Sequence, residues 1–565
     1  MPMKSLFIFL FGFSVVTFSQ SEIPQDYFGN PLDIPMILSG SFGELRSNHF
    51  HSGLDIKTQQ KVGFPIYAPA DGVVSRLKVS HYGYGKALYI KHPNGYSTVY
   101  AHLQKYAGKI QEYVKNQQYK KETYEIELFP EGDMLSVTKG EIIGYTGNSG
   151  GSGGPHLHYE IRDGASRPMN PMLFGINIPD TKKPLINSVF VYPSSEDALV
   201  AGSPNRTKLR LIRQKNGNYK TETLEAIGTI GFGISTYDQQ NGASNKNGTY
   251  QINTQLNGKL IYNILFDKFS FGETRYLNRF VDYEYFKTNK SRIQKLFREE
   301  NNPLSIITQA ENDGYVIVEQ GLDLVYTIVV KDFKNNTVTI SIPIKGKEMD
   351  SNEASNKLIT DDLIKSDQAT SITKGKFNIY FPQESLYEDT FLTIEAMGDT
   401  LKLHEDRIPI HKNISISVDA SNYDEKDLKS LYLGRLNYKG EPYYQRTYKK
   451  GTKLTTKTRT FGTYAIATDT IAPVITPINF SDGKWISKNK TLKLKAEDVH
   501  SGVSSYRATL NGKFILTEYD YKKDVLVYDF DDNVVSDTEN NLKVIVIDNV
   551  GNSTTFEATF FRKTI

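Results

Sequence analysis

From about residue 26 to its carboxy terminus the chain is a succession of short runs rich in Val, Ile, Thr, Tyr and Phe, broken by Asn-Gly, Asp and Pro turns. β-branched and aromatic side chains suit a pleated, half-buried surface, and turn residues at this spacing stop the chain before helices can build. Leu88-Tyr89-Ile90-Lys91-His92, Pro93-Asn94-Gly95 and Tyr96-Ser97-Thr98-Val99-Tyr100 read as two strands joined by a tight hairpin. Further strands are expected at residues 65–67, 72–79, 141–145 and 157–161. The fold class is therefore mainly β, and residues 26–178 form a compact antiparallel β domain.

A chain of 565 residues is too long for one core and implies roughly three to five domains, each with its own core. A polar, tyrosine-rich stretch at 105–138 reads as an insertion with a short helix and a strand, either a lid or wall for a site or a plain surface excursion. Beyond Pro179 the strand spacing suggests β-sandwich modules at 184–347, 375–469 and 470–565, with a Ser/Asn/Asp/Lys-rich linker at 348–374. The last module, with Asp498-Val499-His500-Ser501-Gly502-Val503 and Asp548-Asn549-Val550-Gly551-Asn552, resembles bacterial immunoglobulin-like repeats. Residues 326–336 faintly follow the same plan.

At the start, Lys4, an apolar stretch over 6–18 and small polar residues at 19–21 have the anatomy of a secretory signal peptide, expected at 1–20. An uncleaved anchor is the alternative reading. No later segment approaches the ~20 apolar residues of a spanning helix. The mature chain is expected to be exported, to a periplasm, the cell envelope or the outside. There is no cysteine, which excludes disulfides, a thiol nucleophile and a cysteine zinc ribbon and leaves metal chemistry to His, Asp and Glu. A net charge of +3, from 67 basic and 64 acidic residues, gives no electrostatic reason for a nucleic-acid partner.

Of the 10 histidines, His49, His51, His81, His92, His102, His156 and His158 crowd into the amino-terminal β domain. In a strand His156 and His158 project to one side, with Glu160 beyond them, and the spacing of four between His51 and Asp55 suits one side of a strand entered near Leu54. Two imidazoles and a carboxylate holding zinc, with a fourth position open for water, point to hydrolysis. The glycine-rich run 147–154 offers a low, flexible rim beside them.

HFHSGLDIKT, PIYAPADGVV, VYAHL, IIGYTGNSG and GPHLHYEIR occur in the order of the signature blocks of the lysostaphin-type, LytM-like zinc metallopeptidases, and the chain resembles that family over residues 40–175. The resemblance implies the duplicated hybrid motif fold and cleavage of peptide bonds in peptidoglycan. It also implies one zinc ion held by His51, Asp55 and His158, with His102 and His156 as non-ligand catalytic imidazoles. His49, His81 and His92 then fall to structural or solvent-facing roles, and Glu160 to orienting a ligand.

Three functions compete. The leading one is an exported zinc endopeptidase acting on peptidoglycan peptides. The second is a non-catalytic LytM-like envelope protein that regulates another hydrolase, against which stand the full ligand set and the lack of a heptad segment. The third is an adhesin or carbohydrate-binding protein, which rests on the β modules alone. Those modules are also where an envelope protein partner would dock. An insertion longer than a minimal family domain carries is expected to reshape the groove, which leaves the bond specificity open.

Overall fold

Strand β11 (His156–Arg162) is the spine of the amino-terminal domain. Its Leu157, Tyr159 and Ile161 are fully buried on one face, so His156, His158 and Glu160 must leave from the other. The computed structural model describes residues 23–351, 359–534 and 536–563, so the leader expected at 1–20 lies outside the described residues.

The strands before β11 are β1 (Leu38–Gly40), β2 (Leu54–Lys57), β3 (Pro65–Tyr67), β4 (Gly72–Val79), β5 (Lys86–Lys91), β6 (Ser97–Ala101), β7 (Lys105–Tyr106), β8 (Ile126–Leu128), β9 (Ser136–Val137) and β10 (Ile142–Tyr145). The main sheet runs β1-β2-β11-β6-β5-β4-β8, and β3-β10-β7 form a small second sheet. Every pair is antiparallel, with β11 between β2 and β6. The β5–β6 hairpin closes through His92 N–H to the Tyr96 carbonyl (2.9 Å), and Gly95 takes the left-handed position at φ 86°.

Within 105–138 the chain forms helix α1 (Gly108–Lys121), which buries Ile110, Val114 and Gln118 as one stripe, followed by β8 and β9. The helix does not border the histidine cleft. Tyr119 and Lys115 on it both reach Asp532 of the last module.

Residues 185–346 build a sheet around the long strand Leu224–Tyr237. This region does not have a core of its own, contrary to the expectation of separate cores. One continuous apolar cluster runs from Phe28 to Ile344. The join is aromatic: Phe42 and Phe50 of the amino-terminal domain pack on Phe269 and Phe266 at ring separations of 5.1 and 6.0 Å, and Phe280 lies 6.1 Å from Phe50.

Two further β modules each hold a separate core between a pair of sheets, one from Ile364 to Tyr464 and one from Phe480 to Phe560. The chain is thus mainly β, an antiparallel metallopeptidase fold followed by β modules. The last module folds back onto the first domain, where Lys86 pairs with Glu518 at 2.7 Å and Tyr82 packs on Tyr521 at 4.6 Å. Among the described residues no helix is long and apolar enough to cross a membrane.

Candidate metal centre

Asp55 and His158 are register partners across β2 and β11, and the carboxylate and imidazole rise from the same side of the sheet. His51 joins them by another route. It precedes β2, which begins only at Leu54, and is carried in by a turn in which His51 N–H donates to the Glu44 carbonyl (2.9 Å) and Gly43 N–H to its own carbonyl (2.9 Å). The one-strand reading of the spacing of four therefore does not hold, although the two side chains do meet.

The protonation of the three groups follows from their partners. His51 Nδ1 lies 2.7 Å from the Ser41 carbonyl, which can only accept, so Nδ1 carries the proton and Nε2 a lone pair. His158 Nε2 lies 2.9 Å from Glu160 Oε1, which fixes its proton there and turns the Nδ1 lone pair inward. His51 Nε2, Asp55 Oδ1 and His158 Nδ1 then sit 2.9 to 3.1 Å apart, three lone pairs facing one point. Atoms about 2.0 to 2.2 Å from a tetrahedral zinc are separated by a little over 3 Å, so this donor set fits the metal.

Without a metal only a proton can relieve the repulsion. Burial opposes a charge on His158, but its hydrogen bonds to Asp55 and Glu160 push it up to about 9. Burial likewise would raise Asp55, yet the surrounding histidines hold its carboxyl well below the usual range.

Glu160 is fully buried and also accepts from Ser52 Oγ (2.7 Å), Tyr84 and Arg162 Nε (2.6 Å). Burial favours its neutral form, but the His158 hydrogen bond and the Arg162 charge keep it ionised. The second oxygen of Asp55 accepts from Arg46 at 3.0 Å.

The other two histidines stand beside the triad with rings 4.8 Å apart. His102 takes φ 60° just after β6, and its Nδ1–H donates to the Ser149 carbonyl (2.9 Å). Desolvation, with His158 and His156 nearby, pushes it down to about 3, so Nε2 is a free base at neutral pH. His156 donates from Nδ1 to the Gly154 carbonyl (2.8 Å), and its Nε2 lies 3.5 Å from Asp55 Oδ1. His92 is bonded to Asp71 and Thr98 inside the domain, His81 packs against Tyr124 and the last module, and His49 is exposed at the cleft rim.

The glycine-rich run is not uniformly a flexible rim. A Cβ on Gly147 would fall 2.2 Å from Gln104 N and one on Gly150 2.3 Å from Gly85 N, so these two pack backbone on backbone and hold the loop that orients His102. Gly153 and Gly154 face open space. From the far side Lys522 Nζ of the last module donates to the carbonyls of Asn148 (2.7 Å) and Ser152 (2.8 Å).

Tyr84, Ser52, Arg46 and Lys522 went unnoticed in the sequence. Ser52, Tyr84 and Lys522 act on partners far away in the chain, and Arg46 reaches Asp55 across the turn that carries His51. A cleft of about 1000 Å³ passes the five predicted residues, with its opposite wall formed by Lys246, Phe271, Lys290 and Arg292 from the following region.

The antiparallel β fold thus carries a His/Asp/His donor set that could hold a metal ion. Residues 49–119 and 131–171, within the amino-terminal domain, match Peptidase family M23. Residues 361–469 match a Zu5-like domain.

The DD-carboxypeptidase/endopeptidase Mpg of Neisseria meningitidis is 33% identical over 157 residues, 28% of this chain and 30% of that protein. The peptidoglycan DD-endopeptidase ShyA of Vibrio cholerae is 31% identical over 166 residues, 29% of this chain and 30% of that one. The chain thus matches under a third of the length of these relatives. The catalytic domain of the M23 protein EnpA from Enterococcus faecalis is 26% identical, covering 26% of this chain and 98% of that one, at a TM-score of 0.20.

Proposed function

We propose that this chain is an exported zinc metalloendopeptidase that hydrolyses peptide bonds in peptidoglycan cross-links. In this reading His51, Asp55 and His158 hold one zinc ion, and His102 and His156 are the catalytic imidazoles. The observation that carries it is the convergence of three lone pairs on one point beside two imidazoles whose Nδ1 atoms are each tied to a carbonyl. The names of the relatives, a carboxypeptidase/endopeptidase and a peptidoglycan endopeptidase, support the substrate class.

When bound, zinc supplies Lewis-acid chemistry, polarising a carbonyl and acidifying water. The protein supplies the proton traffic. One Nε2 of the His102/His156 pair accepts the proton of the attacking water and returns it to the leaving amine, while the other steadies charge on the carbonyl oxygen. Glu160 holds the proton on His158 Nε2 and so keeps its Nδ1 in ligating form. Lys246, Lys290 and Arg292 face the same cleft, a wall suited to a peptide that carries free carboxylates.

The test is mass spectrometry of cross-linked muropeptides incubated with the zinc-loaded protein. Cleavage by the wild type and its loss in His102→Ala are expected. Intact muropeptides under conditions where a known hydrolase degrades them would overturn the substrate assignment.

A further inference from the structure

A second group of ligating side chains lies outside the histidine site, where the amino-terminal domain meets the region after it. Asp180 comes from the connector, Asp238 from just beyond the strand Leu224–Tyr237, and Asp332 from the turn between the strands Asp323–Lys331 and Thr337–Gly346. One carboxylate oxygen from each lies within 4.8 Å of the other two.

Asp238 and Asp332 are 7% and 3% exposed, and among the described residues no lysine or arginine pairs with any of the three. The two nearby lysines are engaged elsewhere, Lys334 on Asn177 Oδ1 (3.0 Å) and Lys182 on the Gln240 carbonyl (3.2 Å).

Three carboxylates cannot share a buried place uncompensated. Asp332 is satisfied within its turn, where Asn336 donates its N–H to Oδ1 (2.8 Å) and its Nδ2–H to Oδ2 (2.7 Å). Asp238 is not. Its Oδ1 is buried without a hydrogen-bond partner, and the residue lines, with Asp180 and Asp332, a cavity of about 40 Å³. That volume exceeds the ~10 to 15 Å³ that one water-sized occupant needs. Without a cation, burial and the two neighbouring carboxylates push Asp238 up to about 8.

The arrangement is built twice. Asp469, at the entry to the last module, forms a second triad with Asp498 and Asp548 from within it. Asn552 donates Nδ2–H to Asp548 Oδ2 (2.7 Å) and to the Asp469 carbonyl (3.1 Å), just as Asn336 does to Asp332 Oδ2 and the Asp180 carbonyl (3.3 Å). The sequences run in parallel: Asp180-Thr181 with Asp469-Thr470, Asp238 and Gly242 with Asp498 and Gly502, Asp332 and Asn336 with Asp548 and Asn552. A costly carboxylate cluster kept in two modules argues for a shared purpose.

We propose that Asp180, Asp238 and Asp332 bind a hard divalent cation, calcium, which ties the connector after the peptidase domain to the region that follows. All-oxygen ligation without His excludes a zinc-type preference, and calcium accepts irregular carboxylate geometry where magnesium demands a near-ideal octahedron. The site also bears on the histidine centre. Gln240, two residues beyond Asp238, accepts from Leu38 N–H (2.8 Å) and donates to the Met36 carbonyl (2.8 Å), and β1 pairs with the strand that carries Asp55.

The experiment is calorimetric titration of calcium into the zinc-loaded, chelator-free full chain, alongside Asp238→Asn and, should that variant fold poorly, the part-exposed Asp180→Asn. Expected are calcium binding by the wild type, the loss of one bound ion in either variant, and a wild-type Tm raised by roughly 5 °C at saturating calcium. No heat and no Tm change in the wild type would overturn the proposal, as would calcium uptake left unchanged by the variants. Zinc retention and muropeptide cleavage are read separately, so failure here leaves the peptidase reading standing.

Discussion

Asp55 and His158 face each other directly across β2 and β11, with Oδ1 2.9 Å from Nδ1. This one register pair places a carboxylate and an imidazole on the same face of neighbouring strands. A slip of one residue would turn both toward the core that Leu54 and Leu157 fill.

Glu160 orients His158 without touching the metal position. Glu160→Gln is expected to weaken zinc affinity roughly 10- to 100-fold while the protein stays folded. Competition with a calibrated chelator measures this, and unchanged affinity would remove Glu160 from the ligand's support.

His102 stands outside the ligand set. His102→Ala should keep its zinc and lose roughly 10²- to 10⁴-fold in kcat, as expected for removal of a general acid–base group. Elemental analysis paired with muropeptide kinetics separates this from a metal-binding defect.

Lys522 grips the loop whose carbonyls orient both non-ligand imidazoles. Lys522→Ala should lower kcat roughly 10-fold or more with zinc content intact, since small misplacements of catalytic groups are costly. An unchanged kcat would make this contact a mere docking point for the last module.

Asp238 gives a pH signature. Its folded pKa of about 8 lies above the ordinary 3.8, so the calcium-free fold keeps its full stability only below about 3.8 and loses it as pH rises through about 8. The facing groups are the Asp180 and Asp332 carboxylates, with Lys334 on the cavity wall bonded to Asn177. Thermal melts without calcium should show Tm falling across that window in the wild type and a flatter profile in Asp238→Asn. Identical slopes would contradict it.

Much of the centre was legible in the sequence because strand periodicity alone puts His156, His158 and Glu160 on one face. The route by which His51 arrives was not, since the turn pairing it with Glu44 has no periodic signature. Nor was the aromatic join of Phe42 and Phe50 to Phe266, Phe269 and Phe280, because residues more than 200 positions apart carry no local sign of contact. The Asp-x-x-x-Asn turns were visible as turns. Their meeting with two other aspartates depends on chain reversals that only the tertiary fold supplies.

The most direct test of the central claim is the zinc content per chain of the wild type, His158→Ala and His102→Ala by elemental mass spectrometry. One zinc is expected in the wild type and His102→Ala, and none in His158→Ala. Equal zinc in all three, or none in the wild type, would contradict a metal held by His51, Asp55 and His158.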